Sequence, residues 1–301
     1  MSDIELAQSV SAEMAKPNIV LDATMLDTFQ SCPYKFWCRF VRNKGPQEKA
    51  KALDRGSVGH MALEGYYKAL QLGCDYSECI QAMRSSFAEA MMQSELDDET
   101  ETHLNRSLHQ VVEYYRTADK QFEIVAVEQP FMYKLTETED VNIFMTGKID
   151  LLVNDEKYTN LPIDHKFRER DSKLADRRLN TQFINYANAV GSNFLIVNKV
   201  GLQKTLSESE RFKRTPLSFD PVYKQQWIDE VVIPAATLYL ECCATDKWPL
   251  NLTSCDKFNR LCEYYEICDS SGQDSKVFKL EANFIDVPAW DVTDVMTKRE
   301  H

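Results

Sequence analysis

Apolar side chains recur every three or four residues over the first third of the chain, the period of an α-helix. A helix is expected to start at Asp22 or Thr24, either of which can cap it, and to run through "MLDTFQSCPYKFWCRFV". Leu26, Phe29, Phe36 and Phe40 would form its apolar side, with a break or kink at Pro33. A connection over 43–56 leads to a second helix over 57–70, where Val58, Met61, Ala62 and Tyr66 fall on one face. Segments 77–93 and 99–118 read as two more helices. After Asp119 the period shortens to two: "FEIVAVEQPFMYKL", "NIFMTGKIDLLV" and "YTNLPIDHKF" read as strands, the last two joined by the turn "NDEK". A helix over 181–191 ends at Gly191. "FLIVNKV" (194–200) is expected as a buried strand, and 221–244 as a long helical stretch carrying Pro234.

This order predicts an α/β (α+β) fold: a central mixed sheet flanked by helices. Residues 1–20 read as a leader and 21–301 as a single domain. Its helical part covers about 57–118, its catalytic sheet and helix 120–200, and its C-terminal helix and cysteine-rich clasp 220–270.

Composition excludes some classes. With 44% hydrophobic and 27% charged residues the chain is of globular type. No apolar run approaches the ~20 residues that span a bilayer, and the acidic N-terminus lacks the features of a secretory signal. A cytoplasmic protein without a membrane partner is expected, its nine cysteines reduced or metal-bound. The net charge of −12 argues against nucleic acid until its distribution is considered. Acid concentrates in 94–102 and 136–140, base in 35–55, 166–178 and 199–214.

Candidate chemistry centres on the strand pair. Asp164 and Lys166, two apart, share a face of one strand, and Asp150 lies on its neighbour. Two adjacent carboxylates repel, and a hard divalent cation, Mg2+ or Mn2+, relieves the repulsion. The lysine beside it can orient water and stabilise charge on a phosphoryl oxygen, which suits phosphodiester hydrolysis. Asp150 and Asp164 share a face only if the connection leaves an odd number of residues unpaired, or contains a bulge. His60 on a preceding helix and Glu128 on a preceding strand can contribute further ligands. Gln182 and Tyr186, four apart on the following helix, face the same way. Near the C-terminus "CDKFNRLCEYYEIC" supplies Cys255, Cys262 and Cys268, one thiolate short of a tetrahedral metal or iron–sulfur site.

In their order, "SCPYKFWCRF", "GSVGHMALE", "TGKIDLLV", "PIDHK", "QFINY" and the terminal cysteines resemble the PD-(D/E)XK nuclease superfamily. The likeness is to its RecB-like exonuclease branch with an iron–sulfur cluster, which includes AddB, CRISPR adaptation nucleases and phage exonucleases. It implies a restriction-endonuclease-like core with an N-terminal helical insertion and a C-terminal Fe–S clasp. It further implies metal ligation by His60, Asp150, Asp164 and the backbone carbonyl of His165. Lys166 would be catalytic, with Gln182 and Tyr186 as the helix motif. Cys32 would be the missing fourth ligand of a [4Fe–4S] cluster with Cys255, Cys262 and Cys268. The C-x6-C-x5-C spacing departs from the family's C-x2-C-x5-C, and Asn259 stands where the nearer cysteine would fall. Zn2+ suits the same four thiolates. Cys38, Cys74, Cys79, Cys242 and Cys243 are expected as free buried thiols.

The expected function is a metal-dependent deoxyribonuclease, an exonuclease or single-strand-preferring enzyme whose metal-activated water attacks the phosphodiester. Lys35, Arg39 and Arg42, and Arg168, Arg170, Arg177 and Arg178, would line a DNA groove, with Tyr34, Phe36 and Trp37 as stacking surfaces or as core. No "GxxxxGK[ST]" loop is present, so unwinding would need a helicase or recombination partner. One alternative is a catalytically silent nuclease fold acting as a binding subunit of a recombination or repair complex. The other is an iron–sulfur redox or sensor protein.

Overall fold

The computed structural model describes residues 16–47, 51–169, 178–203, 205–257 and 260–296. The chain forms two compact units. The first comprises Met1–Glu48, Met132–Gly147 and Val222–Thr297, and the second Lys49–Phe131, Lys148–Pro221 and Lys298–His301.

In the first unit, strand β1 (Asn18–Leu21) pairs in parallel with Asn142–Met145. The residues expected to end a leader therefore form a sheet strand. Helix α1 (Ala23–Ser31) starts where the Asp22 side chain accepts the Met25 amide at 2.7 Å, and it stops at Cys32 because Pro33 has no N–H to continue it. A short turn, Pro33–Phe36, runs on into a π-helical turn, Trp37–Val41.

The second unit begins with helix α2 (Lys51–Gln71), which starts six residues earlier than the expected 57. Helices α3 (Tyr76–Met92) and α4 (Asp98–Asp119) follow, capped by Asp75 and Asp97. The acidic run between them thus supplies a helix start. Strands β2 (Glu123–Glu137) and β3 (Asn142–Asn154) contribute to both units. They precede β4 (Leu161–Arg168), α5 (Thr181–Ala189), β5 (Phe194–Gly201) and β6 (Phe212–Ser218).

The six-stranded sheet has the order β1-β3-β4-β5-β6, with β2 also on β3. It is mixed: β3 and β4 are antiparallel, β4 and β5 parallel, β5 and β6 antiparallel. Strand β6 was not evident in the sequence. Its residues "FKRTPLS" lack an apolar alternation, and Pro216 is tolerated because β6 lies at the edge of the sheet. Tyr66, Phe87, Leu104, Leu108 and Val111 from the helices pack with Leu151, Ile163, Val200 and Phe212 from the sheet. Inside this core Arg214 Nη1 meets Asp119 Oδ1 at 2.5 Å, and Tyr67 donates to Asp119 Oδ2 at 3.0 Å.

The helical stretch expected over 221–244 is present, with a π turn inside it. Pro221–Trp227 passes into a π turn, Ile228–Val232, before helix α6 (Ile233–Thr245). Pro234 cannot donate into a continuous α ladder, and the wider turn lies directly before it. Helix α7 (Gln273–Asn283) follows, after which Ile285–Asp286 pairs back with Lys44–Gly45 and Val292–Met296 forms a last short helix. No helix among the described residues is long and apolar enough to cross a membrane.

Helix α2 approaches β4 closely at a residue without a side chain. A Cβ on Gly59 would lie 2.5 Å from Phe167 Cζ, whereas one on Gly56 would meet nothing within 4 Å. Gly56→Ala is expected to stabilise the protein by about 0.5–1 kcal/mol through helix propensity. Gly59→Ala is expected to lose about 1–3 kcal/mol to overpacking. Urea unfolding of the two variants checks the contrast.

Candidate active site

The sequence carries the site into place through strand register. Leu151, Leu152 and Val153 pair with Ile163, Pro162 and Leu161, so one step further along the ladder Asp150 faces Asp164. Beyond the last pair, Val153↔Leu161, residues 154–160 are left unpaired, seven in number and odd, as a shared face requires. Asp155 closes that turn by accepting the amides of Lys157 and Tyr158 at 2.8 and 2.6 Å. Beyond Leu151↔Ile163 the ladder stops, and the Asp150 carboxylate accepts the His165 amide at 2.7 Å in place of a backbone carbonyl.

Both carboxylates are buried, Asp164 completely. Burial pushes each up to about 6 against the pull of the Lys166 ammonium, and the neighbouring Asp150 raises Asp164 further. Lys166 Nζ donates to Asp164 Oδ1 and to Gln182 Oε1, both at 2.8 Å. Gln182 Nε2 donates to the Tyr186 hydroxyl at 2.9 Å, and that hydroxyl donates to the Lys148 carbonyl at 2.5 Å. The tyrosine thus fixes which way the Gln182 amide points, and the amide fixes the lysine. A third ammonium proton of Lys166 stays available beyond these two bonds.

His60 reaches the same point from α2, with Nδ1 3.3 Å from Asp150 Oδ2. Burial pushes its pKa down to about 4, so the ring is neutral and able to act as a ligand. Glu128 has φ 48, a left-handed conformation rare for a non-glycine residue inside a strand and one that re-aims the side chain. Ligand atoms of His60, Glu128 and Asp150 all lie within 4.8 Å of one another. Asp164 Oδ2, buried, has no hydrogen-bond partner among the described residues.

The family model for the PD-(D/E)XK nuclease superfamily matches residues 21–269. The chain belongs to this superfamily. A solved structure from Eubacterium rectale, described as a "Putative exonuclease", is similar at 13% identity and a TM-score of 0.50, over 91% of this chain and 94% of that one. That likeness is one of fold. An alkaline exonuclease from Laribacter hongkongensis aligns over 62% of this chain and 93% of its own at 11% identity, with a TM-score of 0.26. No curated protein matches the chain.

PD-(D/E)XK nucleases use divalent metals, and the donors here fit one: a neutral imidazole, two converging carboxylates and an unpartnered oxygen on a third. Tyr67, Asn198 and the Lys148 carbonyl were not singled out in the sequence, yet the first two contact His165 and the third accepts from Tyr186. Tyr67 stacks on the His165 ring at 5.5 Å, and Asn198 Nδ2 contacts His165 Nδ1 at 2.9 Å. An asparagine inside the apolar run "FLIVNKV" was the available signal for such a contact.

In the first unit Cys32, Cys255, Cys262 and Cys268 line a single small cavity with Asn251 and Tyr264. The Cys262 amide donates to the Cys255 carbonyl at 2.8 Å, closing a hairpin in which Asp256–Lys257 pairs with Arg260–Leu261. The two cysteines of the lengthened C-x6-C spacing are thus held together by this pairing, and both line the cavity. Burial, then the neighbouring thiols, push Cys268 up to about 11. Cys38, Cys79 and Cys242 are buried as expected, Cys74 is half-buried, and Cys243 is exposed, contrary to expectation, because it faces outward from α6.

The expected DNA-binding residues fare unevenly. Tyr34, Phe36 and Trp37 are core side chains with no free stacking surface. Lys35 is paired with Glu263 at 2.9 Å, and Arg42 with Glu281 at 2.6 Å, which offsets their charge. Arg39 lies over the Phe40 ring at 5.6 Å. Arg168 ends β4 two residues past Lys166, with its Nε buried and without a hydrogen-bond partner among the described residues. Arg170 and Arg177 lie outside the described residues.

Tyr186→Phe is expected to cost about 1–2 kcal/mol, because it leaves the Lys148 carbonyl and the Gln182 amide each short of a partner. Chemical denaturation measures it, with Tyr114→Phe, at an exposed tyrosine, as the control.

Proposed function

We propose that this chain is a metal-dependent DNA nuclease of the iron–sulfur RecB-like branch, acting as an exonuclease or on single strands, with residues 21–301 forming one nuclease domain. The observation that carries this reading is Lys166, held between Asp164 and Gln182 beside the converging His60, Glu128 and Asp150. A charged amine is fixed next to a cation-ready carboxylate cluster, where the charge of a phosphodiester would be met. His60, Asp150 and Asp164, with the His165 carbonyl and Glu128 as an accessory, would hold Mg2+ or Mn2+. The bound metal lowers the pKa of water and offsets negative charge on the phosphate.

The protein groups perform the remaining work. Lys166 has one donor left, which can meet a non-bridging phosphate oxygen. Gln182 and Tyr186 keep the ammonium from swinging away, so less orientation must be imposed during the reaction. Arg168 offers charge to the adjoining strand. Arg39, Lys35 and Arg170 remain secondary contributors, the first two with part of their capacity already taken up. A match over 21–269 and the sharing of β2 and β3 between the units support treating the whole as one domain. DNA ends or single strands are the proposed substrate, with any helicase or recombination partner supplying the unwinding.

The four cysteines lining one cavity support a [4Fe–4S] cluster there, with Zn2+ as the competing occupant. The proposed role is structural. One ligand precedes the nuclease motifs and three follow them, so a single bound group would join sequence-distant parts of its unit.

With labelled DNA and Mg2+ or Mn2+, Lys166→Ala is expected to lower kcat by about 10²–10³-fold, and Asp164→Ala by at least as much. Undiminished cleavage in either variant removes the active-site assignment. Protein purified without oxygen is expected to absorb near ~400 nm, and Cys255→Ala to lose that band together with solubility. A colourless wild-type protein that contains zinc would overturn the cluster assignment.

A further inference from the structure

The nuclease reading leaves one polar cavity in the second unit unexplained. It has a volume of about 140 Å³ and is lined by His103, Arg106, Ser107, Gln110, Leu202 and Arg211. A single water needs only about 10–15 Å³ of such volume, so the space admits a polyatomic group. Four of the six residues come from consecutive turns of α4, which makes one helix face polar where it meets the sheet end.

Arg211 makes this more than a surface dent. It is 7% exposed, and its side chain is held by three bonds: Nε to the Gly201 carbonyl at 3.1 Å, Nη1 to Gln110 Oε1 at 2.9 Å, and Nη2 to Ser107 Oγ at 2.7 Å. All three acceptors are neutral. A guanidinium carries five N–H donors, so two remain after these bonds. A buried cation without an ion-pair partner is costly unless an anion comes to it. Arg106, exposed at the same cavity, likewise has no ion pair among the described residues.

Two carboxylates lie nearby and have other contacts. Glu99 stands 4.0 Å from His103 Nε2, and Glu208 accepts from Gln110 Nε2 at 3.4 Å. Neither forms an ion pair with Arg106 or Arg211 among the described residues; the Glu208 charge acts on Arg211 from a distance and offsets only part of the cost of its burial. Ser107, whose hydroxyl accepts from Arg211, keeps its own proton to donate.

The cavity is separate from the carboxylate site. Lys199 pairs with Lys166 and shares its face of the sheet, while Val200 points to the opposite face, into the core that α4 covers. Leu202 follows the end of β5, three residues and roughly 10 Å beyond Lys199.

We propose that this cavity is a second, non-catalytic site for a phosphate group, which Arg211 and Arg106 bind through paired guanidinium donors and Ser107 through its hydroxyl. Planar guanidinium forks match phosphate oxygens two at a time, and a rigidly held arginine loses little freedom on binding. The group can come from free inorganic phosphate, or from a nucleic-acid strand passing the sheet end. The second source rests on the nuclease reading; the first does not.

The test uses the full chain. Inorganic phosphate is titrated by calorimetry at constant ionic strength, with chloride as the balancing anion, into wild type, Arg106→Gln and Arg211→Lys. Arg106 is exposed, so its variant is expected to fold normally, which circular dichroism verifies. Saturable phosphate binding that weakens about tenfold or more in Arg106→Gln supports the site. No saturable binding to wild type, or equal affinity in folded Arg106→Gln, overturns it. A second arm measures binding of a single-stranded oligonucleotide to Lys166→Ala protein, with and without Arg106→Gln. If the strand uses the cavity, phosphate competes with it and Arg106→Gln reduces the salt slope by about 0.7. If phosphate binds but strand affinity is unaltered, the cavity serves free phosphate. Failure of the nuclease reading would show as absent cleavage, which leaves the phosphate titration unaffected.

Discussion

The arrangement of the site depends on where the β3–β4 ladder stops. Three paired positions bring Asp150 opposite Asp164, and then the strands exchange a backbone acceptor for a side-chain one, the Asp150 carboxylate on the His165 amide. Had the ladder continued, that amide would be paired to a carbonyl and the carboxylate would point elsewhere. Ending it there keeps the buried N–H satisfied, as it must be, while opening the space into which His60 and Glu128 reach. The two carboxylates then lie close enough to disfavour each other's ionisation, which readies the site for a cation.

The surroundings keep that opening rigid. Gly59 lets α2 approach Phe167, so that the next residue, His60, sits within reach of Asp150. On the other face of β4, the His165 ring is held between Tyr67 and Asn198, and Tyr67 is tied to the Asp119–Arg214 pair. The lysine is fixed by a separate run of bonds from α5. Positioning therefore comes from packed helices and strands rather than loops, as a reaction that requires fixed charge placement favours.

Much of this was legible in the chain. Helical and strand periods gave the elements in order, since burial on one face leaves a repeating trace in sequence. Asp150, Asp164, Lys166, Gln182 and Tyr186 were recognisable because each lies near a strand or helix with a clear pattern. The weaker predictions failed for physical reasons. Tyr34, Phe36 and Trp37 looked available for stacking, but aromatic side chains carry large apolar area and here lie in the core. Strand β6 carries charge and a proline, and only its neighbour β5 makes it a strand. Residues 18–20 read as leader because a four-residue strand is too short to show a period.

The sequence by itself determined the order of the longer helices and strands, the alternation that places Asp164 and Lys166 on one face, and the superfamily motifs. These are local properties, written in the spacing of neighbouring residues. Tertiary structure alone decided that the β3–β4 ladder ends one residue before Asp150, that Glu128 turns toward His60, and that Cys32 shares a cavity with cysteines far along the chain. It also decided that Arg211 is buried on neutral acceptors from a helix a hundred residues earlier. Such contacts join residues distant in sequence, and their geometry follows from packing, which no local pattern encodes.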